Sequence, residues 1–481
     1  MKKSLRSSFI SGTFWTSGQQ IIFTLLGLVQ LSIVSHVLTP IDFGTYAVAI
    51  FFSSLGNIAF AMGFSAALIH KQEDIRPYLN TTWTASIGIA LIASIVIICF
   101  VPLVCSNYFH NPSAIWPSIV IMFNGVFIAA ANPGTIFYQK ELELKKIFAL
   151  NVFAKCFSFV LVLVFVYLIE SYWGLILALL SESLFRLIYS YYLHPYRPKI
   201  QFNRKQFKEL YSYSGWIQLK NITSWLASSI DTAVIGNLLG PTKLGFFNRS
   251  QTIASYPRLF VNTVIDSVAF PIYSKVKEEK EKMQIAFDKI QDCVLLIVGG
   301  LSILFASFGY QIINLVLGKQ WLYMVDTFIL LSVAYLFQTL FLSFIPVLRA
   351  FGYTRLEFII YIVQIVFMAV LLYLLVGKYE LIGAGIASIV CLSLIYPSMI
   401  FYVRKKTKLK IAHYIKSFFI TLFGAGSVSV LCSLVDKTEH NFILWACEML
   451  FTGLLYLLVI YLIWRVFKIG PGAILDNFKK D

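Results

Sequence analysis

Apolar residues run along this chain in long stretches broken by short polar segments, and that rhythm predicts its elements. A helix needs roughly 20 apolar residues to cross the ~30 Å hydrocarbon of a bilayer. Fourteen runs reach that length: 10–37, 44–69, 79–105, 114–138, 147–169, 172–193, 212–238, 246–275, 285–310, 326–350, 356–376, 381–402, 412–435 and 442–467. The pattern predicts an all-α polytopic membrane protein with about fourteen transmembrane helices. Composition supports it: 58% of 481 residues are hydrophobic, only 13% are charged, and mean hydropathy is +0.78. A soluble surface would need more charge. Lys2, Lys3 and Arg6 resemble the basic region of a signal peptide. The run that follows is too long and lacks a small-residue cleavage site, so it is read as a retained span.

Basic residues orient the spans, because cytoplasmic loops retain Lys and Arg. Alternate loops hold 29 of the 39 Lys and Arg residues, and the intervening loops hold only Lys243, Lys319, Lys378 and Lys437. That alternation predicts an even number of spans with both termini in the cytoplasm. The net charge of +16 is therefore mostly a topology signal, with no place for nucleic acid. Seven cysteines stand singly without metal-ligand spacing and read as small hydrophobes. No metal and no cofactor is expected.

The two halves of the chain repeat at an offset of 201 residues. Leu38-Thr-Pro40-Ile-Asp-Phe-Gly44 aligns with Leu239-Gly-Pro241-Thr-Lys-Leu-Gly245, and Trp15 with Trp216. Each L-x-P-x-x-x-G reads as a tight outer-face turn that ends one span with Pro and opens the next with Gly. Both copies start from the cytoplasmic side, so the repeat is parallel, with a pseudo-twofold axis along the membrane normal. The expected organisation is an N-lobe over 1–205 (spans 1–6), a C-lobe over 206–410 (spans 7–12), two added spans over 411–470 and a cytoplasmic tail over 471–481. The longest connection, 194–210, carries Pro195, Pro198 and five basic residues between the lobes.

Six bases remain inside apolar runs: Lys155, Arg186, Lys220, Arg249, Arg258 and Lys289. A cation at bilayer depth costs at least ~2.5–3.5 kcal/mol, so each should face a protein-lined or watery interior. Asp231 and Arg249 lie at similar depth and could pair, as could Lys220 and Asp266. Glu182 and Arg186 stand i, i+4 on one helix face, with Lys155 at comparable depth, which leaves one cation over. Asp288, Lys289 and Asp292 read as a solvated helix entrance. Arg258 has no acid at its depth in an adjacent span. Its guanidinium stays charged when buried and grips phosphate oxygens in pairs, so an anionic cargo is expected there. At the repeat offset, Gln19 becomes Lys220, Val48 becomes Arg249, Asn57 becomes Arg258 and Ser65 becomes Asp266, so the second half has gained charge.

Fourteen spans, the duplicated halves and the L-T-P-x-D-F-G-x-Y-A turn beginning at Leu38 resemble the polysaccharide-transporter branch of the multidrug/oligosaccharidyl-lipid/polysaccharide exporter superfamily. The resemblance implies two six-helix lobes around a central cavity, alternating access, and no enzymatic activity. It implies a bacterial inner-membrane flippase for O-antigen or exopolysaccharide repeat units carried on undecaprenyl diphosphate, as in lipopolysaccharide assembly. Partners would be that lipid-linked oligosaccharide, membrane lipids, and a polysaccharide polymerase and glycosyltransferases. The expected cargo-binding set is Arg258, Lys220, Arg186, Lys155, Arg249, Asn57 and Gln19. Asp231, Asp266 and Glu182 are candidates for ion coupling. Gln20, Asn124, Asn132, Asn221 and Asn262 could meet sugar hydroxyls. Tyr213, Trp216 and Trp225 could stack on sugar rings, although packing roles suit them as well. The rival reading is an ion-coupled multidrug or metabolite antiporter of the same superfamily. Cationic drugs would call for acids, whereas here deep bases outnumber deep acids. A membrane glycosyltransferase would need a carboxylate base and a sizeable outer loop, and neither is evident.

Overall fold

The computed structural model describes residues 5–60, 63–71, 73–141, 143–264, 269–433 and 442–467, and every regular element among them is helical. Among the described residues, ten segments are long and apolar enough to cross a membrane. One of them, Arg355–Thr407, has 53 residues. At ~1.5 Å per residue that is about 80 Å, more than two bilayer cores. Helices present apolar stripes outward: Ile92, Val96 and Phe100 recur at i, i+4 and are exposed, as are Val366, Val370 and Leu374. Water would not tolerate such stripes, and lipid does. The chain is a multi-pass membrane protein.

The chain gathers into two compact units, Met1–Asn248 and Arg249–Asp481. In the first, α1 (Leu5–Val37), α2 (Pro40–Phe60), α3 (Phe64–His70), α4 (Arg76–Leu103), α5 (Ile115–Val120), α6 (Phe123–Ala130), α7 (Ile136–Lys140), α8 (Leu144–Ile169) and α9 (Trp173–Leu193) lead to α10 (Arg204–Ala254). α10 is broken at Gly240, whose φ of 75° is open to glycine and strained for other residues. Its first section belongs to the first unit because it lies along α2. Gln218 Nε2 donates to the Ile58 carbonyl at 2.6 Å, and Trp225 Nε1 donates to Ser54 Oγ at 2.9 Å. The Trp225 ring stacks 5.3 Å from Phe51, so this tryptophan has a packing role. At the basic end, Lys71 bonds Glu209 across 138 residues while Tyr78 donates to the other carboxylate oxygen at 2.8 Å. Lys71 first, then Tyr78, holds the Glu209 carboxyl below the usual carboxylate range.

The two repeat motifs meet within this unit. Pro40 is the first residue of α2, where its missing N–H is no loss. Asp42 accepts from the Thr39 backbone N–H at 3.0 Å, half of a capping box. Gly44 lies inside that first turn, and a Cβ there would overlap the Pro241 carbonyl. Reciprocally, a Cβ on Gly245 would overlap the Pro40 carbonyl. The glycines were expected to shape turns; instead they let two helix starts cross backbone to backbone.

The second unit holds the last residues of α10 and then α11 (Tyr256–Val264), α12 (Phe270–Val276), α13 (Lys280–Ser307), α14 (Gly309–Val316), α15 (Val325–Ser343), α16 (Ile345–Ala350), α17 (Thr354–Thr407), α18 (Ala412–Ser433) and α19 (Phe442–Phe467). Helicity lapses at Ser255, two residues before Pro257, and at Phe344, two before Pro346. Proline excludes the i−4 carbonyl in each case. α17 is broken at Glu380, with φ 52°, which divides it into two helices, each long enough to cross a bilayer. α13 is central and packs on α11, α12, α15, α18 and α19. Phe287, Phe344 and Tyr414 fill its core, with the Phe344 and Tyr414 rings 5.0 Å apart.

Candidate functional site

In each unit charged side chains lie inside apolar helices. In the first, Asn151 and Lys155 stand one turn apart on α8, and Glu182 and Arg186 one turn apart on α9. Since i and i+4 share a helix face, packing α8 on α9 brings both pairs together. Arg186 donates to Glu182 at 2.8 Å through one terminal nitrogen and to Asn151 at 2.7 Å through the other. Lys155 lies 3.6 Å from the same carboxylate. Asn151 in turn donates to Gln19 on α1 at 3.1 Å. The three charged side chains are 25%, 17% and 32% exposed for Lys155, Glu182 and Arg186. Two cations thus share one acid, and Lys155, at the longer distance, is the less committed.

In the second unit, Arg258 on α11 donates to Gln338 on α15 at 2.8 Å and stacks 5.0 Å from the Tyr335 ring. Its Nε–H is buried with no hydrogen-bond partner. Beside it lies a cavity of about 10 Å³ lined by Pro257, Ser302, Ser332, Tyr335 and Thr339 among others. That is room for about one water, so a diphosphate does not fit there in this conformation.

The other sequence candidates fall as follows. Asn57 is half-buried on α2. Asp231 is buried in the first section of α10, Arg249 half-buried in the second, and neither is a free charge. Asp266 lies outside the described residues, as do the side chains of Lys220, Tyr213, Trp216 and Asn262. Two sugar-contact candidates have other work. Asn132 is buried and bonds Gly134, His194 and Tyr196, while Asn124 accepts from Ser183. The solvated entrance at α13 also needs correction. Lys289 is exposed, but Asp292 is 4% exposed. Asp292 Oδ2 meets His413 Nε2 on α18 at 2.8 Å. His413 lies in a basic run that reads as loop charge, so only the buried acid could have signalled the pair from sequence.

Apolar helices that bury shared cations, with apolar stripes turned outward, define a multi-pass helical membrane protein built to hold polar groups within the bilayer. Residues 33–326, more than half of the chain, match the family described as Polysaccharide biosynthesis protein, and the chain belongs to that family of membrane transporters. Lipopolysaccharide biosynthesis protein WzxC of Escherichia coli (strain K12) is 25% identical over 325 residues, covering 66% of this chain and 65% of that one, just under two thirds. Teichuronic acid biosynthesis protein TuaB of Bacillus subtilis (strain 168) is 24% identical over 358 residues, 74% of each chain. Among solved structures, the inward closed conformation of lipid II flippase MurJ superposes with a TM-score of 0.76 at 15% identity, over 95% of this chain and 99% of that one. That likeness establishes the fold.

Proposed function

We propose that this chain moves an undecaprenyl-diphosphate-linked oligosaccharide, an O-antigen or exopolysaccharide repeat unit, from the cytoplasmic to the outer leaflet of a bacterial inner membrane. Fourteen spans form two six-helix lobes and an added pair, with both termini cytoplasmic, and access alternates as the lobes rock. The polyprenyl tail stays in lipid, while diphosphate and sugars pass through a cationic path that offsets their desolvation. Lys155, Arg186, Lys220, Arg249 and Arg258 contribute that charge, with Gln19 and Asn57 meeting the sugar. Asp231, Asp266 and Glu182 are the acids open to ion coupling. The observation that carries the reading is the shared carboxylate: two bases on one acid keep a net positive charge among membrane helices, the sign an anionic lipid headgroup requires.

Arg258 is the second anchor. Its unpartnered Nε–H and its hold on neutral Gln338 leave its charge without an acid among the described residues. On cargo entry it exchanges Gln338 for phosphate oxygens, and the one-water cavity opens around it. Arg258→Ala should leave the membrane content of the protein intact and abolish surface polysaccharide in a strain depending on this chain. Arg258→Lys should retain part, since lysine keeps the charge but loses the bidentate grip. Full surface polysaccharide with the alanine variant would overturn the assignment.

A further inference from the structure

The second unit contains a buried acid–base pair that the cationic path does not use. Asp292 lies 12 residues into α13, about 10 Å inside the apolar run that begins at 285. One carboxylate oxygen meets His413 Nε2 at 2.8 Å; the other, Oδ1, is buried with no hydrogen-bond partner. A buried carboxylate with an orphan oxygen is unstable as a bystander and is placed to take up or share a proton. The His413 side chain is 34% exposed, whereas that of Asp292 is sealed at 6%.

We propose that Asp292 and His413 form a proton-binding site whose loading is coupled to cargo movement, a reading that rests on the transport function proposed above. In the pair, Nε2–H donates to Asp292 Oδ2, so the exchangeable proton adds to and leaves from Nδ1 of the ring. Loaded, the pair is a neutral sum of imidazolium and carboxylate; unloaded, it carries one buried negative charge. A metal cation is a poorer occupant, because the imidazole already holds the place against Oδ2 that a cation would need.

The surroundings link this charge change to helix packing. Asp292 ties α13 to α18, while its neighbour Gln291 ties α13 to α15 by exchanging hydrogen bonds with Ser343 at 2.7 and 3.2 Å. A proton gained or lost at His413 therefore alters one seam of α13 and leaves the adjacent seam intact. The titratable groups around the pair are Asp288 and Cys293 on α13, Lys416 and Tyr414 on α18, and Tyr273 on α12. From α11, α15 and α19, Arg258, Tyr335 and Tyr456 are engaged elsewhere, with Gln338, Arg258 and the Leu296 carbonyl.

The test reconstitutes the full chain in liposomes with an undecaprenyl-diphosphate-linked oligosaccharide and compares movement at equal pH with movement under a pH gradient, between about pH 5.5 and 8. The wild-type rate should respond to the gradient several-fold. His413→Gln and Asp292→Asn should move cargo down its own gradient and lose the response. If Asp292→Asn fails to fold, His413→Gln carries the test alone. Variants that respond as the wild type does, even with a lowered melting temperature, would show a structural link only and overturn the site. A response to a sodium gradient at fixed pH would overturn it in favour of a metal ion. Wild-type chain that moves no cargo under any condition counts against the transport function instead. The proton site is then decided by the pH dependence of hydrogen–deuterium exchange at the His413 ring carbon, which must follow a one-proton curve that Asp292→Asn displaces. A curve unmoved by Asp292→Asn overturns it.

Discussion

Asn132 shows what a polar residue in an apolar chain can be for. Read from sequence it was a candidate sugar contact, yet its amide donates to the His194 and Tyr196 carbonyls at 3.0 and 2.8 Å and accepts from Gly134 N–H at 2.9 Å. Both amide protons are spent on pinning the segment after α9, and the amide oxygen holds the turn at Gly134. Asn132→Ala would strand those buried backbone groups and should destabilise the protein by about 1–3 kcal/mol. Melting in detergent would measure this, and export should fall only in proportion to folded protein. Unchanged melting with lost export would restore the sugar-contact role. Local geometry decides what is legible at this scale. Glu182 and Arg186 are four residues apart on one helix, so their pairing follows from the helical repeat. Gln338 stands 80 residues from Arg258, and His413 stands 121 from Asp292, and no periodicity carries a partner that far.

Helices were legible because their apolar runs are long and their breaks are chemical. Gly240 before Pro241, Ser255 before Pro257 and Phe344 before Pro346 all fall where backbone rules place them. The break at Glu380 has no such residue; the Lys378 polar turn suggested it instead. The repeat motif was found from sequence, but its physical purpose was not, since a crossing needs two distant segments. At that crossing the obstruction is backbone, the Pro241 and Pro40 carbonyls, and backbone cannot rotate aside. Gly44→Ala and Gly245→Ala should each destabilise the protein by about 1–3 kcal/mol, the usual range for overpacking. Gly88, a helical glycine of α4 with open space at its Cβ, supplies the control. Gly88→Ala should be neutral or gain up to ~1 kcal/mol from helix propensity. Equal melting temperatures for the Gly44 and Gly88 variants would remove the crossing from the account.

For the whole molecule, the open question is how many times the chain crosses the membrane. Among the described residues ten segments pass on length and composition, and the break at Glu380 divides one of them into two helices. Three of the fourteen expected runs, 212–238, 246–275 and 412–435, are not among those segments, and each includes residues or side chains outside the described ones. Each carries charge inside its run, as several of the others do: Lys220 and Asp231 in 212–238, Arg249 and Arg258 in 246–275, and His413 with Lys416 in α18. The distribution of basic residues decides between the counts. Without α18 as a crossing, Arg465, Lys468, Lys479 and Lys480 would move to the outer side, against the rule every other basic loop obeys. A reporter fused after residue 470 should therefore read cytoplasmic. In a cysteine-free background, single cysteines at Lys243, Lys319, Lys378 and Lys437 should react with an impermeant maleimide from outside, and cysteines at Lys71 and Lys205 should not. Protection at Lys243 would remove the two spans around Gly240, and an external C-terminus would remove α18. The first result would break the duplicated arrangement on which the cationic path depends, whereas the second would leave both lobes and remove only one of the added spans.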